Sequence, residues 1–442
     1  MVARFLRSFL ANALLKSAAG VAAIRVAGMI AGFALTLVLS RWLGAEGVGT
    51  YAYVVTVLTL VAVPVSNGWS TLLLRTASKA PAIGGWDKVK GLIRWGVRLA
   101  VLLTLLVALL ALGFLGTGAF GVVGAALLTG VLFLNQLSAL RLAVLRGLNH
   151  PVWGQFPEAL LRPLAILGLF VLYSAIRPGP PVLFDAFLAL LSGALLTAVL
   201  GGVILWRKAP EVLRDADTVT DLPVWAKSAS LLAGMTGLVQ LNAQVDFLIL
   251  GWLGTPADLG HYRVAVQIAL LGGFVYTALN MIAMQRFAYL FARNETAELQ
   301  SSATFFARLA FLFTLPLPIL FWFRGEAVLN FLFTPGFVAV LAPLAWLFGV
   351  QIVNAAVGLP RTMLVMGNFE KQTMFFTALS LGINVVACLV LIPLFGVQGA
   401  AMSSFIALGI FNVALLVYSR RLLGVDTSIL GNTIRQRSGE PT

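Results

Sequence analysis

The sequence is poor in charge. Asp, Glu, Lys and Arg make up 10% of its 442 residues, against roughly 25% in a soluble globular domain. A soluble fold of this length needs far more polar surface, so a soluble enzyme, a nucleic-acid-binding domain and a disordered chain are all excluded. The one cysteine, Cys388, lies inside an apolar run, so neither an intrachain disulfide nor a cysteine metal cluster can form. The two histidines, His150 and His261, are far apart in sequence and make a poor start for a zinc site. The chain has no G-x-x-x-x-G-K-[ST] loop, no H-E-x-x-H and no G-x-S-x-G. No enzymatic activity, cofactor, bound metal or ATP hydrolysis by a phosphate-binding loop is therefore expected.

What the sequence has in quantity is apolar surface. Hydrophobic residues make up 60% of it, and the mean hydropathy is +0.98. A membrane-spanning helix needs about 20 apolar residues. Twelve apolar segments can be read, at about 17–41, 50–73, 95–116, 119–140, 157–176, 183–206, 228–252, 262–284, 303–323, 338–359, 373–394 and 397–419. The runs are continuous rather than alternating, which excludes a β-barrel. Backbone groups in lipid must bond within their own segment, so the segments are read as helices. Residues 1–16 place Arg4, Arg7 and Lys16 among Phe5, Leu6, Phe9 and Leu10, the pattern of a short amphipathic helix on the membrane surface. A cleaved signal peptide is the alternative, but its apolar stretch would be short and is broken by Asn12.

The net charge of +14 follows membrane topology better than it fits nucleic acid. With the N-terminus inside, 25 of the 30 Lys and Arg fall in inner segments and four, Arg41, Arg177, Arg263 and Arg324, in outer loops. Arg25 lies within a helix. Excess positive charge marks cytoplasmic loops, so both termini are expected in the cytoplasm. Residues 207–227 form the longest polar stretch between helices and are read as a cytoplasmic linker. It separates a first six-helix bundle (17–206) from a second (228–420), which a cytoplasmic tail (421–442) follows. Asp215-Ala216-Asp217 matches a metal-binding DxD pattern, but no nucleotide-binding domain surrounds it and a solvated linker explains it.

The two halves carry similar turns. Trp42-Leu43-Gly44 with Gly49 and Tyr51 matches Trp252-Leu253-Gly254 with Gly260 and Tyr262, each after the first helix of its half. Leu145-Arg146-Gly147-Leu148-Asn149 matches Val365-Met366-Gly367-Asn368, each after the fourth helix. Both halves begin inside, so this is a parallel repeat about an axis along the membrane normal.

Arg41-Trp42-Leu43-Gly44-Ala45-Glu46-Gly47-Val48-Gly49-Thr50-Tyr51 resembles the first outer turn of polysaccharide-export flippases. Leu145-Arg146-Gly147, Asp246 with Leu250-Gly251, Gly260-His261-Tyr262, and the run from Ile392-Pro393 to Ala400-Ala401 are similar to later motifs of that family, in the same order. The resemblance is to the Wzx-like branch of the MOP superfamily, which also holds MurJ lipid II flippases and MATE exporters. It implies an all-α polytopic membrane protein with two six-helix bundles around a central cavity, working by alternating access. The implied cargo is an undecaprenyl-diphosphate-linked oligosaccharide destined for O-antigen, capsule or exopolysaccharide. Membrane lipids and other polysaccharide-assembly proteins are the implied partners. The chain departs from the family at Met284-Gln285-Arg286, where a proline is common, and lacks the two further helices usual in MurJ.

Two charged residues deep in apolar helices point to a site. Arg25 lies nine residues after Lys16 and sixteen before Arg41, about 13 Å and 24 Å along a helix. A guanidinium there costs about 2.5–3.5 kcal/mol on insertion scales. It either snorkels to the surface or faces a wet cavity and binds an anionic cargo group, to which its planar fork is suited. Asp246 lies eight residues before Gly254, about 12 Å from the outer turn, too deep for a short side chain to reach water. It is either part of an interhelical hydrogen-bond network or a proton or cation site. Asn242 is expected one turn earlier on the same face, with Gln240 and Gln244 paired on another. Arg98 and Arg308, just inside the third and ninth helices, are candidate inner-side cations that could equally snorkel. The remaining intramembrane amides, Asn67, Asn135, Gln136, Gln267, Asn280, Gln351, Asn354 and Asn384, suit a cavity that passes sugar hydroxyls. A MATE-like exporter of cationic drugs would need acids in the first half, where almost none is buried. A polysaccharide-assembly enzyme would need a sizeable outer loop, and none is present.

Overall fold

A computed structural model describes residues 13–115 and 118–431, and every element among them is helical. The expected surface helix at 1–16 falls largely outside the described residues, as do Arg435 and Arg437 of the tail. Among the described residues nine helices are long and apolar enough to cross a membrane, or ten if the bent pair Pro256–Gly272 and Phe274–Ala292 counts as one span. Two features bring this count close to the twelve segments read from sequence. The stretch Gly20–Val61 has 42 residues, about 63 Å of helix and twice the roughly 30 Å apolar thickness of a bilayer. It breaks at Gly44, whose φ of 69° suits only a residue without Cβ. The apolar segment expected at 228–252 is broken between the helices Leu222–Asn242 and Val245–Leu253.

The chain divides into two compact units, Met1–Leu241 and Asn242–Thr442. The core of the first is built on Leu73, Leu92 and Leu132, all fully buried, and on Trp69, which meets Trp225 edge-on. The core of the second is built on Phe287, Leu290 and Phe306. Apolar side chains also cover much of the outside. Leu102, Leu105, Leu106 and Leu109 form an exposed i, i+3, i+4, i+7 stripe on the Trp86–Leu115 helix. Such a stripe is stable only against lipid or another apolar surface.

Prolines set the local irregularities. Pro64 and Pro157 each open a π-helical turn, Pro64–Trp69 and Pro157–Leu161. Proline removes a backbone donor and crowds the carbonyl four residues back, and a turn wider by one residue relieves the conflict. The second of these turns revises a segment boundary. Helix begins at Pro151, six residues before the expected start at 157, and runs on to Ile176. Pro316 opens a new helix after a break at Leu315, and the bend between the helices at Gly273 is 52°.

The linker expected at 207–227 holds the end of the Leu183–Lys208 helix, a short helix Glu211–Asp215 and the start of the helix at Leu222. It is fastened to its own unit by Lys90, whose Nζ donates to the carbonyls of Arg214 and Ala216 at 2.7 and 2.6 Å.

The repeat of turns after the fourth helix of each half has a structural counterpart. His150 N donates to Leu145 O, and Phe369 N to Leu364 O, both at 2.8 Å. Asn149 and Asn368 both take positive φ, 61° and 65°. These are the same helix-ending turn with asparagine in the left-handed position. The structural match pairs Asn149 with Asn368, and so pairs Gly367 with Leu148 rather than with Gly147.

After the last helix, Val397–Leu423, the chain turns at Gly424 and the segment 425–431 lies back against the second unit. Gln300 brackets Asp426, donating to its carbonyl and accepting from its N–H, both at 2.7 Å. Ile429 N donates to Ala356 O, and Thr427 Oγ1 to Val357 O. Arg308 Nε donates to Ile429 O at 3.1 Å.

Candidate functional site

In the first unit, the helix holding Arg25 packs on the 151–176 segment through glycines. Gly20 faces Val152, and a Cβ on Gly28 would sit 1.9 Å from the carbonyl oxygen of Ala159. The resulting close approach places Arg25 opposite Gln155, and Arg25 Nε donates to Gln155 Oε1 at 2.9 Å. Gln155 is buried while Arg25 is exposed. Arg146 lies near enough to feel the Arg25 charge. Among the described residues Arg25 has no ion pair, so two guanidinium groups share this region with a neutral amide between helices.

One turn further along the 151–176 segment the charges are matched. Glu158 pairs with Arg141 at 3.0 Å and with Arg162 at 3.2 Å. Arg141 is 6% exposed and also donates to the carbonyl of Thr197. Gly201 makes room for it, since a Cβ there would sit 1.1 Å from Arg141 Nη1. Arg141 and Arg162 were counted with the inner segments. Both lie within helices, with Arg162 eleven residues past Pro151, about 16 Å along the segment.

Arg162 reaches a cavity of about 210 Å³ lined by Thr59, Ala62, Ser66, Asn67, Asn135 and Gln240 as well. Both π-helical turns border it. Ser66 and Asn67 lie in the first, and Arg162 directly follows the second. The cavity thus collects three of the amides picked out from sequence, Asn67, Asn135 and Gln240.

Gln240 and Asp246 belong to different units. Asp246 is buried in the second, in the first turn of the Val245–Leu253 helix. It accepts from Phe247 N at 2.8 Å, from Ser404 Oγ at 2.5 Å and from the Tyr262 hydroxyl. A cation at Asp246 would have to displace protein donors. The expected shared face of Asn242 and Asp246 rested on a continuous helix, and the break at 243–244 removes that spacing argument. Gln244 instead stands at the N-cap of the new helix. Asn242 Oδ1 is buried without a protein hydrogen bond. Arg98 lies over the Trp95 ring, 4.8 Å from its centre, and Arg308 holds the 425–431 segment.

Sequence reasoning missed Gln155 and Glu158. Glu158 lies four residues before Arg162, the spacing of one helix turn, and both fall within the expected fifth segment, whereas Gln155 falls outside it. Gln155 could be seen only if the fifth segment was started at Pro151.

No family model and no curated protein matches the chain. Solved structures do. The chain is similar to an inward-facing multidrug resistance MATE family transporter of the MOP superfamily. The TM-score is 0.72 and the identity 12%, over 91% of this chain and 94% of that one. It is similar to a MATE solved in complex with MaL6, with a TM-score of 0.64 and 13% identity over 92% and 96% of the two chains. It is also similar to a MOP superfamily transporter from Pyrococcus furiosus, described as having a binding pocket of reverse polarity that suggests a different function. There the TM-score is 0.63 and the identity 14%, over 92% and 96%. The chain therefore has the MATE/MOP transporter fold.

Proposed function

We propose that this protein is a flippase that moves a lipid-diphosphate-linked oligosaccharide across the cytoplasmic membrane by alternating access. The observation that carries this reading is Arg25, which donates to the neutral amide of Gln155 and has no carboxylate partner among the described residues, with Arg146 near enough to feel its charge. Uncompensated guanidinium groups in apolar helices are costly, and an anionic cargo offsets that cost while bound. A diphosphate offers several oxygens to two planar forks. The fold accommodates a drug exporter equally well, but a cationic drug needs an uncommitted acid. Glu158, the carboxylate of this cluster, is shared by two arginines. Asp246 in the second unit is the candidate for ion coupling, should its hydroxyl partners exchange.

The experiment is export of the glycan in cells carrying Arg25 variants, with protein level measured in parallel. Arg25→Ala should abolish export at normal protein level. Arg25→Lys should retain part, because it keeps the charge and loses the fork. Full export in Arg25→Ala would overturn the reading. In liposomes the purified protein should need an ion gradient, a membrane potential or a cargo gradient, and stoichiometric ATP hydrolysis would contradict secondary transport.

A further inference from the structure

We infer that the polar cavity of the first unit is a subsite for the hydroxyls of the uncharged sugar next to the cargo's diphosphate, and that Asn135 and Gln240 set its specificity. The inference rests on the proposed function for the identity of the cargo, and on different residues for its own evidence.

The lining has a particular chemistry. Thr59, Ser66, Asn67, Asn135 and Gln240 supply hydroxyls and amides, groups that both donate and accept. Asn135 Oδ1 is buried with no protein hydrogen bond. Among the described residues the side chains of Asn67 and Gln240 bond to nothing in the protein. A buried oxygen left unpaired costs free energy, so Asn135 Oδ1 needs an occupant that donates to it. Water can do so, and so can a ring bearing several hydroxyls, because each hydroxyl offers one donor and two acceptor positions. An apolar drug would leave the amides unmet, and a bare anion would leave the donors of a ligand for Asn135 Oδ1 missing.

Charge divides the work between the two places. Arg162 enters the cavity already paired with Glu158, which it shares with Arg141. Arg25 is bonded to a neutral amide and has no ion pair among the described residues. The diphosphate therefore has more to gain at Arg25, and the cavity is left for the neutral part of the cargo. The separation suits one molecule. Gln155 and Arg162 are seven residues apart on the same segment, about 10 Å along it. The cavity's volume of about 210 Å³ lies below the roughly 300–1,000 Å³ of drug-sized pockets, which fits a single ring.

The test uses the full-length purified protein in detergent and two probes, a polyprenyl diphosphate without sugar and the same lipid carrying one N-acetylhexosamine. Wild type should bind the glycosylated lipid more tightly. Asn135→Leu and Gln240→Leu should each lower that preference by about fivefold, the loss of one net hydrogen bond, while affinity for the sugar-free lipid holds. Asn135→Ser, which keeps a small polar group, should restore part of the preference and guards against a folding defect. Arg25→Ala should weaken both lipids by the same factor and leave the preference intact. If the Asn135 and Gln240 variants weaken both lipids alike, or leave the preference at the wild-type value, the subsite is overturned. If Arg25→Ala leaves both affinities unchanged while the cavity variants behave as expected, the diphosphate assignment fails and the subsite stands. A wild type that makes no distinction between the two lipids overturns the subsite directly.

Discussion

Arg25 and Gln155, 130 residues apart in sequence, are joined by a 2.9 Å hydrogen bond from Nε to Oε1. The bond uses one edge of the guanidinium, and so orients the rest of the fork without neutralising it. An amide is the side chain that does this. A carboxylate at 155 would pair with Arg25 and compete with any anionic cargo.

Gln155→Glu should therefore reduce export more than tenfold, the loss expected when a pairing of about 1.4 kcal/mol or more must be broken first. Gln155→Leu should be milder, because the charge survives and only its orientation is lost. Both are read from glycan export normalised to protein level, and a Gln155→Glu protein as active as wild type would contradict the argument.

Glu158 holds two arginines, and the more buried of them, Arg141, depends on it most. Glu158→Gln should cost about 3 kcal/mol of stability, because it leaves a buried guanidinium without its counter-charge. Arg162→Gln should cost less, since Glu158 then keeps Arg141. The paired change Arg141→Met with Glu158→Leu should recover most of the loss, as apolar replacement of a whole buried pair often does. Thermal unfolding in detergent ranks the three variants. Equal losses in Glu158→Gln and Arg162→Gln would place the weight of the pair elsewhere.

The inward orientation of both termini rests on the sequence's charge split and is testable with single cysteines. In a Cys388→Ser background, Pro180→Cys in the turn after Ile176 should react with an impermeant thiol reagent on intact cells. Asp217→Cys, in the segment between Asp215 and Leu222, should stay unlabelled until the membrane is opened. Both positions are exposed in the fold, so the reverse pattern would invert the topology.

The segment 425–431 is fastened chiefly by Gln300, which makes three hydrogen bonds, to Thr304 Oγ1, Asp426 O and Asp426 N. Gln300→Leu should destabilise the second unit by about 1–3 kcal/mol, since it strands polar groups that had been paired. Hydrogen exchange at Asp426 and Ile429 should rise with it. Arg308→Ala should have a smaller effect, because the guanidinium is exposed. Unchanged exchange in Gln300→Leu would show that the segment is held by other contacts.

The sequence by itself determined that the chain is a bundle of membrane-crossing helices, about how many there are, and where Arg25 and Asp246 lie along them. Transfer into lipid is a sum over some 20 residues, so it can be read from composition and hardly depends on what each helix touches. The repeat of turns was legible for a similar reason, since Gly and Asn mark local backbone conformations. Tertiary structure alone decided which polar groups meet. Arg25 finds Gln155 across 130 residues, and Asp246 finds Ser404 across 158. Helical spacing could not bridge even the shorter intervals. A π-helical turn inserts one residue and rotates everything after it by about 100°, so a face counted through Pro157–Leu161 comes out wrong. The break at 243–244 undid the expected alignment of Asn242 with Asp246 in the same way. In sequence Arg141 and Arg162 were only counted with the inner segments, because a guanidinium carries no mark of its partner. Only the packing that brings Glu158 between them makes it possible for both to sit inside helices.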